Sequence, residues 1–298
     1  MRIYKNIKKI IKQKNLMYYL VDGLRFLPDD LYLKLVYRIK IGKKLNIKNP
    51  TSFNEKIQWL KINDRNYAYI KMVDKYEAKK YVASILGTDC IIPTLGIWNS
   101  FDEIDFEQLP SQFVLKCTHD SGTVVLCEDK TKFDYIGAKK KLNRALKRNF
   151  YWIGREWPYK FVKPRILAEK YMLDNENSEL IDYKFMCFNG KVKTVFTCSE
   201  RYSEDGLKVT FYDRKWKRLP FKRHYPSSKS DLSCPSSYNE MMSYAEILSK
   251  DISFLRVDFY EIKGRPYFGE LTFYPGDGFE EFTPDEWDYK LGSWLNLI

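Results

Sequence analysis

Two runs of alternating character stand out in the second half of the chain: Asp182-Tyr183-Lys184-Phe185-Met186-Cys187-Phe188, and Lys191 to Cys198. A period of two is that of a half-buried strand, and the intervening Asn189-Gly190 is a strong short-range hairpin signal. The pattern predicts a hairpin there. It predicts a second where Arg256-Val257-Asp258-Phe259-Tyr260 and Gly264 to Thr272 flank a turn at Lys263-Gly264. Strand-like runs also cover residues 113–118, 123–127 and 165–172, and residues 90–98 read as an extended lead-in.

Helical spacing predicts a mostly helical, basic region over residues 1–65, with Ser52 and Glu55 in capping-box relation. Further helices are expected over 71–86, ending at Gly87, over 132–152, and over 238–248 after a polar stretch at 226–237. Strands with interspersed helices, without a regular βαβ series or an internal repeat, argue for an α+β fold. The expected division is 1–65, a linking region 66–112, a lid with the first core strands 113–180, and a C-terminal lobe 181–298.

Charge narrows the partners. The 298 residues carry 51 Lys and Arg against 39 Asp and Glu, a net +12. Such a surface attracts nucleotides, acidic sugars, anionic lipid or nucleic acid. The basic residues are spread along the whole chain and follow no nucleic-acid-reading motif, so no nucleic-acid partner is expected. Six cysteines (90, 117, 127, 187, 198, 234) lack Cys-x-x-Cys spacing, and only His119 and His224 could complement them, which argues against zinc. Cys117, Cys127, Cys187 and Cys198 lie in apolar runs and read as core residues of a reducing compartment.

The basic N-terminus lacks the unbroken apolar run of a signal peptide, and no segment has the length to span a bilayer. Ile7, Ile10, Ile11, Leu16 and Leu20 could line one side of a basic helix. That helix could rest on an anionic membrane surface or pack on its own protein. The expected location is cytoplasmic, with peripheral contact at the inner face of the plasma membrane as the membrane option.

Candidate chemistry gathers on the strands. If the last hairpin pairs antiparallel, Asp258 and Glu270 point from neighbouring strands toward one place, two residues beyond Arg256. Two carboxylates there need a cation between them, and Mg2+ bridging to nucleotide phosphates is the natural occupant; a solvated hairpin is the plainer reading. Lys116 ends an apolar strand before His119-Asp120-Ser121-Gly122-Thr123, where a flexible glycine and hydroxyl donors suit phosphate oxygens. The turn does not fit the Walker pattern. Glu169, Lys170 and Met172 share one strand-like run that could border an adenine, and Asp182 and Lys184 share a strand face.

In this order the motifs resemble the ATP-grasp fold, and within it the TupA-like branch, associated with teichuronopeptide and other bacterial surface-polysaccharide synthesis. The resemblance rests on 50–56 (PTSFNEK), 74–76 (DKY), 113–122 (FVLKCTHDSG), 182–185 (DYKF) and 269–276 (GELTFYPG), and runs from about residue 30 to the C-terminus. It implies that Lys116 and residues 119–123 hold ATP phosphates, joined by Lys75 or Lys79. It further implies that Glu169, Lys170 and Met172 border adenine, that Asp182 faces the ribose with Lys184 beside it, and that Asp258 and Glu270 bind Mg2+.

Arg256 and Lys116 would stabilise the transferring phosphoryl group. Thr272 stands where better-known ATP-grasp ligases carry an asparagine, and its hydroxyl is a weaker metal ligand. The turn at 274–278 would lie on the acceptor side. The implied activity is ATP-dependent ligation of an acidic sugar or peptide carboxylate to an amine through an acyl phosphate. Glycosyl transfer, a kinase reaction and a non-catalytic membrane scaffold are the alternatives.

Overall fold

The computed structural model describes residues 23–172, 180–200, 203–204 and 206–297, so the basic segment on which the membrane expectation rests lies outside the described residues. Helices α1 (Asp29–Lys40) and α2 (Phe53–Asn63) come first. Ser52 caps α2 as its sequence predicts: its hydroxyl accepts from the Glu55 amide at 3.3 Å, and the Glu55 carboxylate accepts from the Ser52 amide at 3.2 Å. Residues 68–86 form two helices, α3 (Ala68–Val73) and α4 (Lys75–Leu86), where the sequence predicts one over 71–86. The break is at Asp74, whose extended backbone lets its carboxylate accept from the Tyr76 and Glu77 amides. Those amides open α4 and have no carbonyl partner within it.

A first antiparallel sheet contains β1 (Thr94–Trp98), β2 (Phe113–Cys117), β3 (Val124–Cys127) and β4 (Ile166–Lys170), in the order β1-β4-β2-β3. Its apolar face (Phe113, Leu115, Cys117, Ile166, Ala168) packs on α5 (Tyr135–Leu146) through Ala138, Leu142 and Ala145. The helix expected over 132–152 is thus shorter. It starts at Asp134, which caps Gly137, and is followed by a separate turn, α6 (Tyr151–Gly154).

The second sheet contains β5 (Asp182–Phe188), β6 (Lys191–Ser199) and β7 (Lys208–Asp213). After a short strand β8 (Lys222–Arg223) and helix α7 (Tyr238–Leu248) come β9 (Phe254–Ile262) and β10 (Arg265–Thr272). The order is β10-β9-β5-β6-β7, with β8 paired separately to β11 (Phe282–Thr283). Both predicted hairpin turns have left-handed backbones, φ 47° and 77° at Asn189-Gly190 and 50° and 71° at Lys263-Gly264. That is the turn whose twist matches paired strands. The sequence pattern gave no element at β7, β8, β11 or the closing helix α8 (Glu286–Trp294).

One face of this sheet is apolar: Phe185, Val257 and Phe259 share a buried core with Tyr238, Met241 and Ala245 of α7. The other face is apolar at one end, where Phe53 of α2 meets Phe188 and Phe254, and again at Phe196 and Phe211 on β6 and β7. Between them, on β5, β9 and β10, it carries charged side chains.

Candidate active site

Residues paired across antiparallel strands share a face. The register sets Lys184 against both Phe196 and Asp258, Asp258 against Glu270, and Arg256 against Thr272. Sequence-predicted residues of three strands therefore meet. Arg256 grips Asp258 with two hydrogen bonds, Nε to Oδ1 and Nη2 to Oδ2, both 2.7 Å. Lys184 reaches Oδ2 at 2.5 Å and lies 3.7 Å from Asp182. Burial alone would raise the Asp258 carboxyl, but Arg256 and Lys184 overcome it and hold the group below its usual range. Burial likewise opposes charge on Arg256, and Asp258 more than restores it.

Glu270 has no such clamp; its Oε1 accepts from the Thr272 hydroxyl at 3.2 Å. Asp258, Glu270 and Thr272 thus offer oxygen donors only, the kind Mg2+ takes. Among the described residues no group of three or more His, Cys, Asp or Glu gathers around a metal position. Nucleotide oxygens would have to complete a shell there, as they commonly do for this ion.

On the first sheet a second charged group forms. Lys116 and Glu169 are diagonal neighbours across β2 and β4, because Val114 pairs with Glu169 and Lys116 with Leu167. The Glu169 oxygens meet Lys79 and Lys116, each at 2.5 Å. Lys79 enters from α4 and also donates to the Ile92 carbonyl at 2.7 Å. Glu169 is buried, yet the two ammonium groups outweigh that burial and pull its carboxyl down to about 2. Burial pulls Lys79 down too, against the attraction of Glu169.

The other nucleotide-side candidates are placed unevenly. Lys75 donates to the Asp120 carbonyl, and its amide binds the Thr118 carbonyl at 3.0 Å, which ties α4 to the 118–123 turn. Ser121 and Gly122 (φ 89°) are exposed at the tip. The His119 ring is turned inward, with Nε2 3.1 Å from the Ala145 carbonyl of α5. Asp120 accepts from Thr123 at 2.5 Å, and its other oxygen is buried without a hydrogen-bond partner. The Lys170 amide already donates to the Pro93 carbonyl at 3.0 Å, so it is not free for a base edge; its side chain is exposed, and Met172 is half-buried beyond it.

Sequence reasoning missed several charged residues. Lys61 is fully buried and donates to the carbonyls of Gly154 and Asp277, both at 2.7 Å; burial lowers it to about 8. Glu156 is buried and pushed well up, first by burial and then by its bond to Asp277. Arg223 meets Glu280 at 2.8 Å. The signal available was the turn itself: Gly276, Asp277 and Gly278 all have positive φ, a run that two glycines around an aspartate make affordable. Tyr159 is also buried; its hydroxyl is raised by burial and then by Glu156 and Glu270.

This chain belongs to the TupA-like ATP-grasp family, whose pattern it matches over residues 55–296. Its α+β architecture is accordingly the ATP-grasp fold. No curated protein matches the chain. Solved structures similar to it include D-alanine–D-alanine ligase from Bacillus anthracis complexed with ATP, at 16% identity and TM-score 0.39, covering 67% of this chain and 54% of that one. The Helicobacter pylori D-alanine–D-alanine ligase is similar at 17% identity and TM-score 0.38, covering 83% and 70%. An ADP complex of N5-carboxyaminoimidazole ribonucleotide synthetase is similar at 13% identity and TM-score 0.42, covering 83% and 57%. The chain thus spans about half the length of the first of these.

Proposed function

We propose that this protein joins a carboxylate to an amine at the expense of ATP, through an acyl phosphate, on a bacterial surface-polysaccharide precursor. The observation that carries the reading is the pair of charged groups, one on each sheet: Lys79, Lys116 and Glu169 on the first, and Lys184, Arg256, Asp258 and Glu270 on the second. In this reading Lys116 and Lys79 leave Glu169 for the phosphates, the Ser121-Gly122 tip covers them, Met172 packs on adenine and Asp182 faces the ribose. Mg2+ held by Asp258 and Glu270 would neutralise charge on the phosphate oxygens.

The substrate carboxylate oxygen attacks the γ-phosphorus and ADP departs. The amine nitrogen then attacks the acyl carbon and phosphate departs. Arg256 and Lys116 stabilise the oxygens that carry charge in the first step. No enzyme nucleophile is needed. As part of this reading the protein works in the cytoplasm, where ATP is available, and its net positive charge suits the anionic inner face of the membrane.

The test is product analysis by mass spectrometry after incubation with ATP, Mg2+ and a panel of uronic acids, amino acids and short peptides. Expected is ADP, phosphate and an adduct lighter by one water than its parts. A phosphorylated acceptor without phosphate release would instead make the protein a kinase, and sugar transfer from a nucleotide sugar without ATP a glycosyltransferase. Lys116→Ala should weaken nucleotide binding by about tenfold or more while the folded spectrum is kept; unchanged affinity would remove Lys116 from the phosphate site.

A further inference from the structure

The edge of a sheet presents a row of unpaired N–H and C=O groups, and a folded chain commonly covers it. Both edges of the second sheet are covered. On β7 the Phe211 carbonyl accepts from the Leu219 amide at 2.8 Å, and the Val209 amide donates to the Pro226 carbonyl at 2.9 Å. On β10 the Phe268 amide donates to the Cys90 carbonyl at 2.7 Å. Strand β3, at one edge of the first sheet, is different.

The Cys117 amide donates to the Thr123 carbonyl at 3.3 Å, which fixes the alternation along β3. Val125 and Cys127 turn their backbone groups toward β2, and Val124 and Leu126 turn theirs outward. The Val124 carbonyl accepts from Lys141 Nζ of α5 at 2.6 Å. The outward N–H and C=O of Leu126 meet no hydrogen-bonding group among the described residues. The Leu126 side chain is 44% exposed. Residues 124–127 include no proline, no charge and no bulge, the usual devices that block an edge. Beside the strand runs an open groove of about 840 Å3, with the small residues Gly137 and Ala138 of α5 in its wall.

Charge along this edge has opposite signs at its two ends. Lys141 stands at Val124, while Glu128 and Asp129 follow Cys127, about 13 Å further on at the rise of a strand. Lys141 and Glu128 are both exposed. A two-fold axis through Leu126 would exchange the two ends, and so bring each charge to its opposite.

We propose that β3 is a self-association surface, and that its partner is a second copy of this chain paired antiparallel about Leu126. The Leu126 N–H and C=O of each copy bond the C=O and N–H of the other, and the two leucine side chains cover one another. Lys141 of each copy meets Glu128 and Asp129 of the other, as a two-fold interface requires. A parallel alignment would set like charge against like. The two four-stranded sheets become continuous. The 119–123 turns, which lead into β3, fall at opposite ends of the join and leave each other open. The surface uses none of the residues proposed to hold nucleotide or metal, so it stands or falls apart from the ligase reading.

Sedimentation velocity on the full chain, from about 10 μM to about 500 μM, covers the range in which so short an interface associates. A monomer–dimer equilibrium is expected. Leu126→Lys would set two like charges face to face on the axis and should weaken the dimer at least about tenfold. Lys141→Glu should be monomeric alone, and so should the double variant Glu128→Lys, Asp129→Asn. An equimolar mixture of those two should form the dimer again, because each end then pairs opposite charges. Asn at 129 keeps an oxygen for the Thr131 amide, which Asp129 accepts at 2.9 Å. Circular dichroism checks that each variant is folded, and Leu126→Lys keeps the inference testable if the charge variants are not. A wild-type chain that stays monomeric over the whole range overturns it. So does a dimer that Leu126→Lys leaves intact, or a mixture of the folded charge variants that remains monomeric.

Discussion

At Glu169 each carboxylate oxygen meets an ammonium group in a setting nearly closed to water. Glu169→Gln would leave Lys79 and Lys116 without that counter-charge, and breaking a buried pair in this way costs roughly 3 kcal/mol. The pH dependence has a definite sign. Glu169 is depressed from 4.5 to about 2 in the folded protein, so its contribution is complete above 4.5 and is lost as pH falls from 4.5 toward 2. Urea denaturation should therefore show the variant least stable relative to wild type at pH 7, with the gap narrowing between pH 4.5 and 3.5. A gap that stays constant over that range would mean Glu169 gains nothing from the two lysines. Lys116 and Lys79 were legible as candidate phosphate lysines, since each stands beside a motif. The charge between them was not, because it depends on a diagonal contact that only the β2–β4 register creates.

The last hairpin shows what an element adds to its residues. Counting back from the two-residue turn at Lys263-Gly264 pairs Phe259 with Phe268, and a regular ladder would then set Asp258 against Gly269 and Glu270 against Val257. Glu270 would point into the apolar core. A bulge at Gly269 adds one residue to β10 and brings Glu270 opposite Asp258. The pairing of the two carboxylates was therefore legible as a convergence, but the device that produces it was not.

Glu270→Gln should reduce Mg2+-dependent turnover about a hundredfold. Asp258→Asn should do the same, and it also removes the partner of Arg256 and Lys184, so its folded spectrum must be checked. At Gly269 an added Cβ would press the Tyr260 ring at 3.1 Å and the Asp258 carbonyl at 3.2 Å. Gly269→Val should then raise the Mg2+ concentration needed for half-maximal activity while both carboxylates remain. Titrating activity against Mg2+ in each folded variant checks all three, and an unchanged Mg2+ requirement in Glu270→Gln would dismiss the site. The same dependence on local chemistry explains the break at Asp74: helical periodicity continues through it, but a carboxylate able to cap Tyr76 and Glu77 ends one helix and starts the next.

For the whole molecule, the order of the motifs made the fold legible, whereas β7 and α8 went unread although each carries a short signal: Asp205-Gly206 before the Val209/Phe211 alternation, and Trp287, Leu291 and Trp294 at helical spacing. No described helix is long and apolar enough to cross a membrane. The chain has twelve more positive than negative charges, and its first fifteen residues carry Arg2, Lys5, Lys8, Lys9, Lys12 and Lys14 among isoleucines. We propose that this composition binds the protein to anionic lipid, with each lysine near the surface contributing about 1 kcal/mol. Cosedimentation should then show stronger binding to vesicles containing phosphatidylglycerol than to neutral ones. Raising salt should weaken it, since exposed charges are screened beyond about 10 Å at 0.1 M ionic strength. Deleting residues 1–15 should reduce vesicle binding and leave nucleotide binding intact. If the intact protein ignores anionic vesicles at low salt, the basic segment has another role, and the positive surface serves the anionic substrates of the cleft alone.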